Sequence, residues 1–253
     1  MEPVQNHELR TLITGASSGI GRQTAVRLSA SRSLIICGRD AQRLQQTREL
    51  CVRPENHTIW VQDLSDPSQI ESGLQSLLGE RSLQIREFVH CAGVLSVRPF
   101  RTVSLAEFQA VMNVNFFAAA EIVRQLIRQR VNSDHLRNVV LVSSTASQYG
   151  ARGFGVYSAS KGALDSLMRS LAVELAPRVR LNSVLPGAVR TEMTAGILSD
   201  EPVAERMKAQ YPLGFGEVDD VAAVIEFLLS DSARWVTGQQ FVVDGGRTIN
   251  ITG

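Results

Sequence analysis

Seven short, largely apolar runs without a strict alternation of polar and apolar residues occur between longer amphipathic stretches along this chain, at 9–14, 33–37, 58–62, 88–91, 139–143, 179–185 and 241–243. A strand buried on both faces reads as a continuous apolar run, because neither side chain direction meets water. Strand–helix alternation from end to end predicts one α/β domain over 1–253, built on a doubly wound parallel sheet of about seven strands with helices on both faces.

The helices are expected at 22–30, 40–50, from Asp66-Pro67 onward, 104–129, 159–176 and 218–230. Asp66 is placed to cap its helix with Pro67 at the first helical position. Ser104-Leu-Ala-Glu107 has the form of a capping box. Pro177 is a stop, since proline has no amide to continue the ladder. One irregular stretch, 190–216, leaves the carboxyl end of the sixth strand, where open α/β sheets bind ligands. It is read as a substrate lid, with an ordinary surface insertion as the alternative.

Composition excludes several classes. A net charge of +1 and no long basic run argue against a nucleic-acid or membrane-surface partner. No window approaches the ~20 apolar residues needed to cross a bilayer. The start of the chain, with Glu2 and Glu8, does not read as a secretory signal. The three cysteines, Cys37, Cys51 and Cys91, form no C-x-x-C pair, so neither a disulfide framework nor a metal site is expected. A cytoplasmic, reduced protein is the expectation.

Thr14-Gly15-Ala16-Ser17-Ser18-Gly19-Ile20-Gly21 follows the first strand and opens the first helix. Glycines there let the backbone turn sharply and approach a pyrophosphate, and the helix N-terminus adds unpaired amides with a partial positive charge. The turn continues Gly21-Arg22-Gln23 and lacks the Gly-Lys-Ser/Thr of a Walker loop. At the end of the second strand a carboxylate would select a free ribose 2′-hydroxyl. Gly38-Arg39 stands there instead, and Arg39 can grip a 2′-phosphate, which favours NADP(H) over NAD(H). The alternative is a solvent-facing Arg39 beside Asp40.

Tyr157-Ser-Ala-Ser-Lys161 puts a phenol and an ammonium on one helix face. Ser144 closes the preceding strand thirteen residues earlier, so all three reach the sheet edge that holds the glycine turn. Hydride transfer to a carbonyl leaves an alkoxide that needs a proton. A phenol can give it, but its ordinary pKa of about 10 is high for exchange near neutrality. A nearby ammonium in a partly dry site is expected to lower it, and Ser144 to donate to the substrate oxygen.

These motifs resemble those of the short-chain dehydrogenases/reductases over nearly the whole chain. The resemblance rests on Thr14 to Gly21, Tyr157 to Lys161 and Ser144. It rests equally on Asp63-Leu64, Cys91-Ala92-Gly93, Asn113-Val-Asn115, Pro186-Gly187 with Thr191, and Asp244-Gly-Gly246. It implies a Rossmann sheet and an oxidoreductase acting on CH–OH groups with NAD(P). The implied catalytic set is Asn115, Ser144, Tyr157 and Lys161. The implied cofactor contacts are Gly15, Ser17, Ser18, Gly19, Ile20 and Gly21, then Arg39, Asp63 and Leu64 toward the adenine end. Cys91, Ala92 and Gly93 follow at a ribose, Tyr157 and Lys161 at the nicotinamide ribose, and Pro186, Gly187, Val189 and Thr191 at the carboxamide. Asn115 is expected to interrupt its helix and anchor a water. His90-Cys91-Ala92-Gly93 departs from the family's Asn-Asn-Ala-Gly.

The overall likeness is to the 3-oxoacyl-carrier-protein reductase branch. It implies a β-ketoacyl or similar small keto substrate, an acyl carrier protein as a candidate partner and a homo-oligomer, usually a tetramer. Arg98, Arg101, Arg124, Arg128 and Arg130 are available for a carrier protein, but Val173 stands where that branch often has a basic residue. A sugar, polyol or other small alcohol remains the second reading, and a non-catalytic dinucleotide sensor the third.

Overall fold

Seven strands pair in parallel: β1 (Glu8–Thr14), β2 (Leu34–Gly38), β3 (Thr58–Val61), β4 (Leu83–His90), β5 (Asn138–Val142), β6 (Arg180–Pro186) and β7 (Gln240–Val243). Their order across the sheet is β3-β2-β1-β4-β5-β6-β7. The computed structural model describes residues 8–81 and 83–250; Met1 to His7, which include most of the stretch read for a signal, and the last three residues of the expected 1–253 domain lie outside the described residues.

Successive strand residues point to opposite faces, so each strand supplies two cores. Leu12, Ile35, Phe88, Val139 and Leu141 face α3 (Ile70–Arg81), α5 (Ala118–Leu126) and α7 (Gly155–Glu174). Ile13, Ile36, Val89, Val140 and Val184 face α1 (Gly19–Leu28), α2 (Ala41–Leu50) and α10 (Val218–Leu229). The strand order reverses between β1 and β4. A crevice therefore opens at the carboxyl ends of these strands, because their following connections leave toward opposite sides.

Several boundaries differ from the sequence reading, each for a local reason. β4 begins five residues earlier than the apolar run, because the charge on Glu87 hid it. Glu87 is nonetheless buried, paired with Arg32 at 2.7 Å and accepting from the Thr11 hydroxyl at 2.5 Å. The helix expected over 104–129 is broken. It runs as α4 (Leu105–Met112), a wide π-helical turn at Asn113–Phe117, then α5, with α6 (Gln129–Asn132) as a separate short turn. Ser104 caps α4 through the Glu107 amide at 3.1 Å, but Glu107's carboxylate turns to Ser96, leaving half a capping box. α7 starts at Gly155 rather than near 159, which brings Tyr157 inside its first turn.

The stretch 190–216 is not irregular. It carries α8 (Glu192–Leu198), opened by a capping box between Thr191 and Thr194, and α9 (Glu201–Lys208). Its ends are pinned together: Arg190's amide donates to Gly216 at 2.9 Å, and Gly216's amide to Ala188 at 3.0 Å. The segment is a closed flap that returns to its own base.

Candidate active site

The glycine turn is dictated by close approach. Gly15 has φ of +67°, and a Cβ there would lie 2.6 Å from the Ala92 amide nitrogen. A Cβ on Gly21 would lie 2.2 Å from the Gly15 carbonyl oxygen. Only bare backbone lets the start of α1 close against the ends of β1 and β4. The resulting cradle of amides at a helix N-terminus fits a pyrophosphate. Ser18 occupies the N-cap position without a side-chain cap bond, and Ser17 and Gly19 complete the turn.

Arg39 is exposed just beyond Gly38. Asp40 is committed elsewhere: it caps α2 by accepting from the Arg43 amide at 3.0 Å. Arg39's charge is felt by Asp63, whose carboxyl lies below its usual range chiefly because the Ser65 amide donates to it. Leu64 is buried beside it. Two cations escaped sequence reading here. Arg22 folds back to donate to the Ser17 carbonyl and to Thr47, placing a guanidinium against the glycine turn. Arg43 pairs with Glu192, tying α2 to the flap. Neither carried a motif, since both depend on side chains crossing between elements.

At the centre, a cavity of about 660 Å³ is lined by Ile20, Cys91, Gly93, Ser144, Tyr157, Lys161, Pro186, Gly187, Val189 and Thr191. The wide spread of these residues in sequence closes to one space because β1, β4, β5 and β6 end side by side. Gly15, Ser17, Ser18, Gly19, Gly21, Arg39, Asp63, Leu64 and Ala92 do not line this cavity; they extend along the same sheet edge toward β3. Sequence reading missed Tyr211, whose hydroxyl accepts from the Ala188 amide at 3.0 Å, and the walls formed by Leu95, Tyr149, Phe154 and Met207.

Tyr157 is buried, with Phe154 edge-on to its ring at 6.0 Å. Burial pushes its phenol above the ordinary value, and a hydrogen bond with Ser144 opposes that rise. The expected lowering by Lys161 is not met by the chain's own groups. Lys161 Nζ donates to the Val142 carbonyl at 2.8 Å and stands 5.8 Å from the Tyr157 ring centre. Desolvation brings Lys161 itself down to about 8, with Asp165 resisting.

Asn115 is fully buried behind the cavity rather than on its wall. Its side chain donates to Ser160 Oγ at 2.9 Å and to the Val94 carbonyl at 3.0 Å, and accepts from the Val94 amide at 2.8 Å. It thus staples the segment that follows β4 to α7 from within the helix it was expected to interrupt.

The departure at 90–93 has a structural account. His90 is fully buried, and its Nδ1 sits 2.9 Å from Thr14 Oγ1. Desolvation drives its pKa down to about 3, so the ring is neutral near pH 7. Cys91's thiol is pushed up to about 12 by burial and stays protonated. No cluster of three or more His, Cys, Asp or Glu side chains suited to a metal ion occurs among the described residues.

Comparison with known proteins gives the same picture. The family described as enoyl-(acyl carrier protein) reductase matches residues 15–248. L-xylulose reductase of Bos taurus is 36% identical over 241 residues, covering 94% of this chain and 95% of that one. Carbonyl reductase [NADPH] 2 of Sus scrofa is 33% identical over 242 residues, covering 94% and 96%. Among solved structures, a 4-hydroxyisoleucine dehydrogenase mutant complexed with NADH and succinate superposes with a TM-score of 0.88 at 28% identity, covering 95% of this chain and 98% of that one. Motif order, sheet topology and these likenesses agree: the chain belongs to the short-chain dehydrogenase/reductase family, oxidoreductases that interconvert carbonyls and alcohols.

Proposed function

We propose that this chain is an NADP(H)-dependent reductase of a small ketone, with Tyr157 giving the proton to the substrate oxygen. The observation that carries the proposal is the convergence of Ser144, Tyr157 and Lys161 on one cavity beside the glycine cradle. When bound, the dinucleotide supplies the hydride. Ser144 donates to the substrate oxygen and Tyr157 protonates it. Lys161 holds the nicotinamide ribose and favours the phenolate that remains. A shift of ~2–3 units in the phenol corresponds to roughly 3–4 kcal/mol of preferential phenolate stabilisation. Asn115 keeps its turn open to anchor a water that passes protons from solvent to Lys161.

Arg39, with Asp40 occupied as a cap and Arg22 beside the turn, supports NADP(H) over NAD(H). The name carbonyl reductase [NADPH] 2 on a 33% identical relative points the same way. Gly15 to Gly21 would hold the pyrophosphate, Asp63 and Leu64 the adenine, Cys91 to Gly93 the adjoining ribose, and Pro186 to Thr191 the carboxamide. The flap over 190–216 serves as the substrate lid. The described residues of the chain are read as one domain.

A free small carbonyl fits better than an acyl carrier protein. Of the arginines available for such a partner, Arg124, Arg128 and Arg130 converge on Glu71, and Arg98 pairs with Glu107. Val173 is exposed where a basic residue would help. No helix among the described residues is long and apolar enough to cross a membrane, and the three thiols are free; a reducing cytoplasm suits them. The test is a panel of ketones and secondary alcohols with NADPH, NADH and their oxidised forms, followed by reduced-nicotinamide absorbance. Turnover of a ketone with NADPH is expected. Absence of turnover with either dinucleotide, while both bind, would favour a sensor.

A further inference from the structure

Arg247 lies in the turn that follows β7, where Asp244-Gly-Gly246 brings the chain back to the cavity. It is half-buried and lines the cavity together with Gln210, Tyr211 and Thr248. Among the described residues, no carboxylate or carbonyl accepts from its guanidinium. Asp244, three residues back, is already engaged: its two oxygens accept from the Gly246 amide at 3.0 Å and the Thr248 amide at 2.7 Å. The cavity's described charged lining is Lys161 and Arg247, and no aspartate or glutamate lines it. Lys161's ammonium is directed at the Val142 carbonyl, on the Tyr157 side.

An arginine on the wall of a cavity that no described carboxylate lines, its neighbour Asp244 being held by main-chain amides, is a strong recognition element for an anion. Desolvation makes an ion pair there worth more than on an open surface, and the planar fork matches a carboxylate. Arg247 also has neighbours that complete such a site. Tyr211's hydroxyl accepts from Ala188, so its own proton is free to point toward the ligand. Thr248 adds a second hydroxyl to the same wall.

Resting on the proposed reductase reading, we propose that the substrate is an oxo acid, or in the reverse direction the matching hydroxy acid. Its carbonyl sits at Ser144 and Tyr157 and its carboxylate is held by Arg247. The carbonyl carbon takes the hydride and the oxygen takes Tyr157's proton. The oxo acid becomes a hydroxy acid as the reduced dinucleotide is oxidised, and the carboxylate is unchanged.

The test compares oxo acids with one to four carbons between the two groups against their neutral methyl esters, using NADPH and NADH. The native protein should prefer at least one acid over its ester by 10-fold or more in kcat/KM. Arg247→Gln should erase that preference by raising KM for the acid, and Arg247→Lys should restore part of it. Esters matching acids throughout, or an unchanged preference in Arg247→Gln, would overturn the assignment. Turnover of neutral ketoses alone would overturn it too, while leaving the reductase reading intact. If no carbonyl of any kind is reduced with either dinucleotide, the reductase reading fails and the oxo-acid assignment with it.

Discussion

Lys161 Nζ donates to the main-chain carbonyl of Val142 at 2.8 Å, bracing the first turns of α7 against the end of β5. That bond fixes the ammonium in a desolvated place, where its pKa comes down to about 8. Below that pH the ammonium is charged and able to favour a phenolate; above it the charge is lost. Ketone reduction should therefore decline as pH rises through about 8, as an inflection in kcat/KM. Lys161→Arg, which stays charged, should remove the inflection.

Tyr157→Phe keeps the ring against Phe154 but removes the proton. Loss of a general acid lowers turnover by roughly 10²–10⁴-fold. Dinucleotide binding, followed by fluorescence titration, should survive. Near-normal turnover in this variant would refute the proton-donor role.

Arg39→Asp should invert cofactor preference. A charge-assisted hydrogen bond of about 1.5–3 kcal/mol corresponds to roughly 10–150-fold in the ratio of kcat/KM for the two dinucleotides. Measuring that ratio before and after substitution checks the assignment. An unchanged ratio would mean that Arg39 serves only solvent.

His90 gives a stability prediction with a definite sign. Its folded pKa of about 3 lies below the unfolded value of about 6.5. Between these values the unfolded chain binds a proton that the native ring does not. Stability is thus full above about 6.5 and drains away as pH falls toward 3. Denaturant titrations at pH 7 and 4.5 should differ by about 2–3 kcal/mol more in the native protein than in His90→Asn. Equal losses would place the acid sensitivity elsewhere.

Trp235 is 97% exposed, five residues before the edge strand β7, on which Val242 is exposed and Phe241 packs its ring 6.4 Å from that of Phe227. An apolar edge of this kind is costly to leave in water. Light scattering should give a mass of several chains, and Trp235→Ser with Val242→Lys should reduce it. A monomer at micromolar concentration would count against the expected homo-oligomer.

The sheet was legible because its strands are largely apolar, and Tyr157, Lys161 and Ser144 because their chemistry is tied to short spacings. Glu87 shows where legibility ends. A charged residue inside a strand looks like a break until Arg32 and Thr11 are seen to pair with it. Arg22, Arg43, Tyr211 and Arg247 escaped the site prediction for a related reason. Each acts across elements far apart in sequence, and no local pattern records which cation meets which partner. The flap's helices were missed because α8 and α9 are only seven and eight residues long, with weak periodicity.

The wide turn at Asn113–Phe117 holds one residue more than a regular α-helix would need, and each helical residue advances the face by about 100°. Everything after it is aimed accordingly: Ala118, Ala119, Ile122, Val123 and Leu126 meet the core, while Arg124 stays outside. Deleting a single residue there would straighten the helix and swing that whole face round by the same angle, driving polar side chains inward and apolar ones into water. The irregularity around Asn115 is therefore a phase setting. It cannot be smoothed away locally without mis-aiming the helix that follows, so the site and the core beyond it stand or fall together.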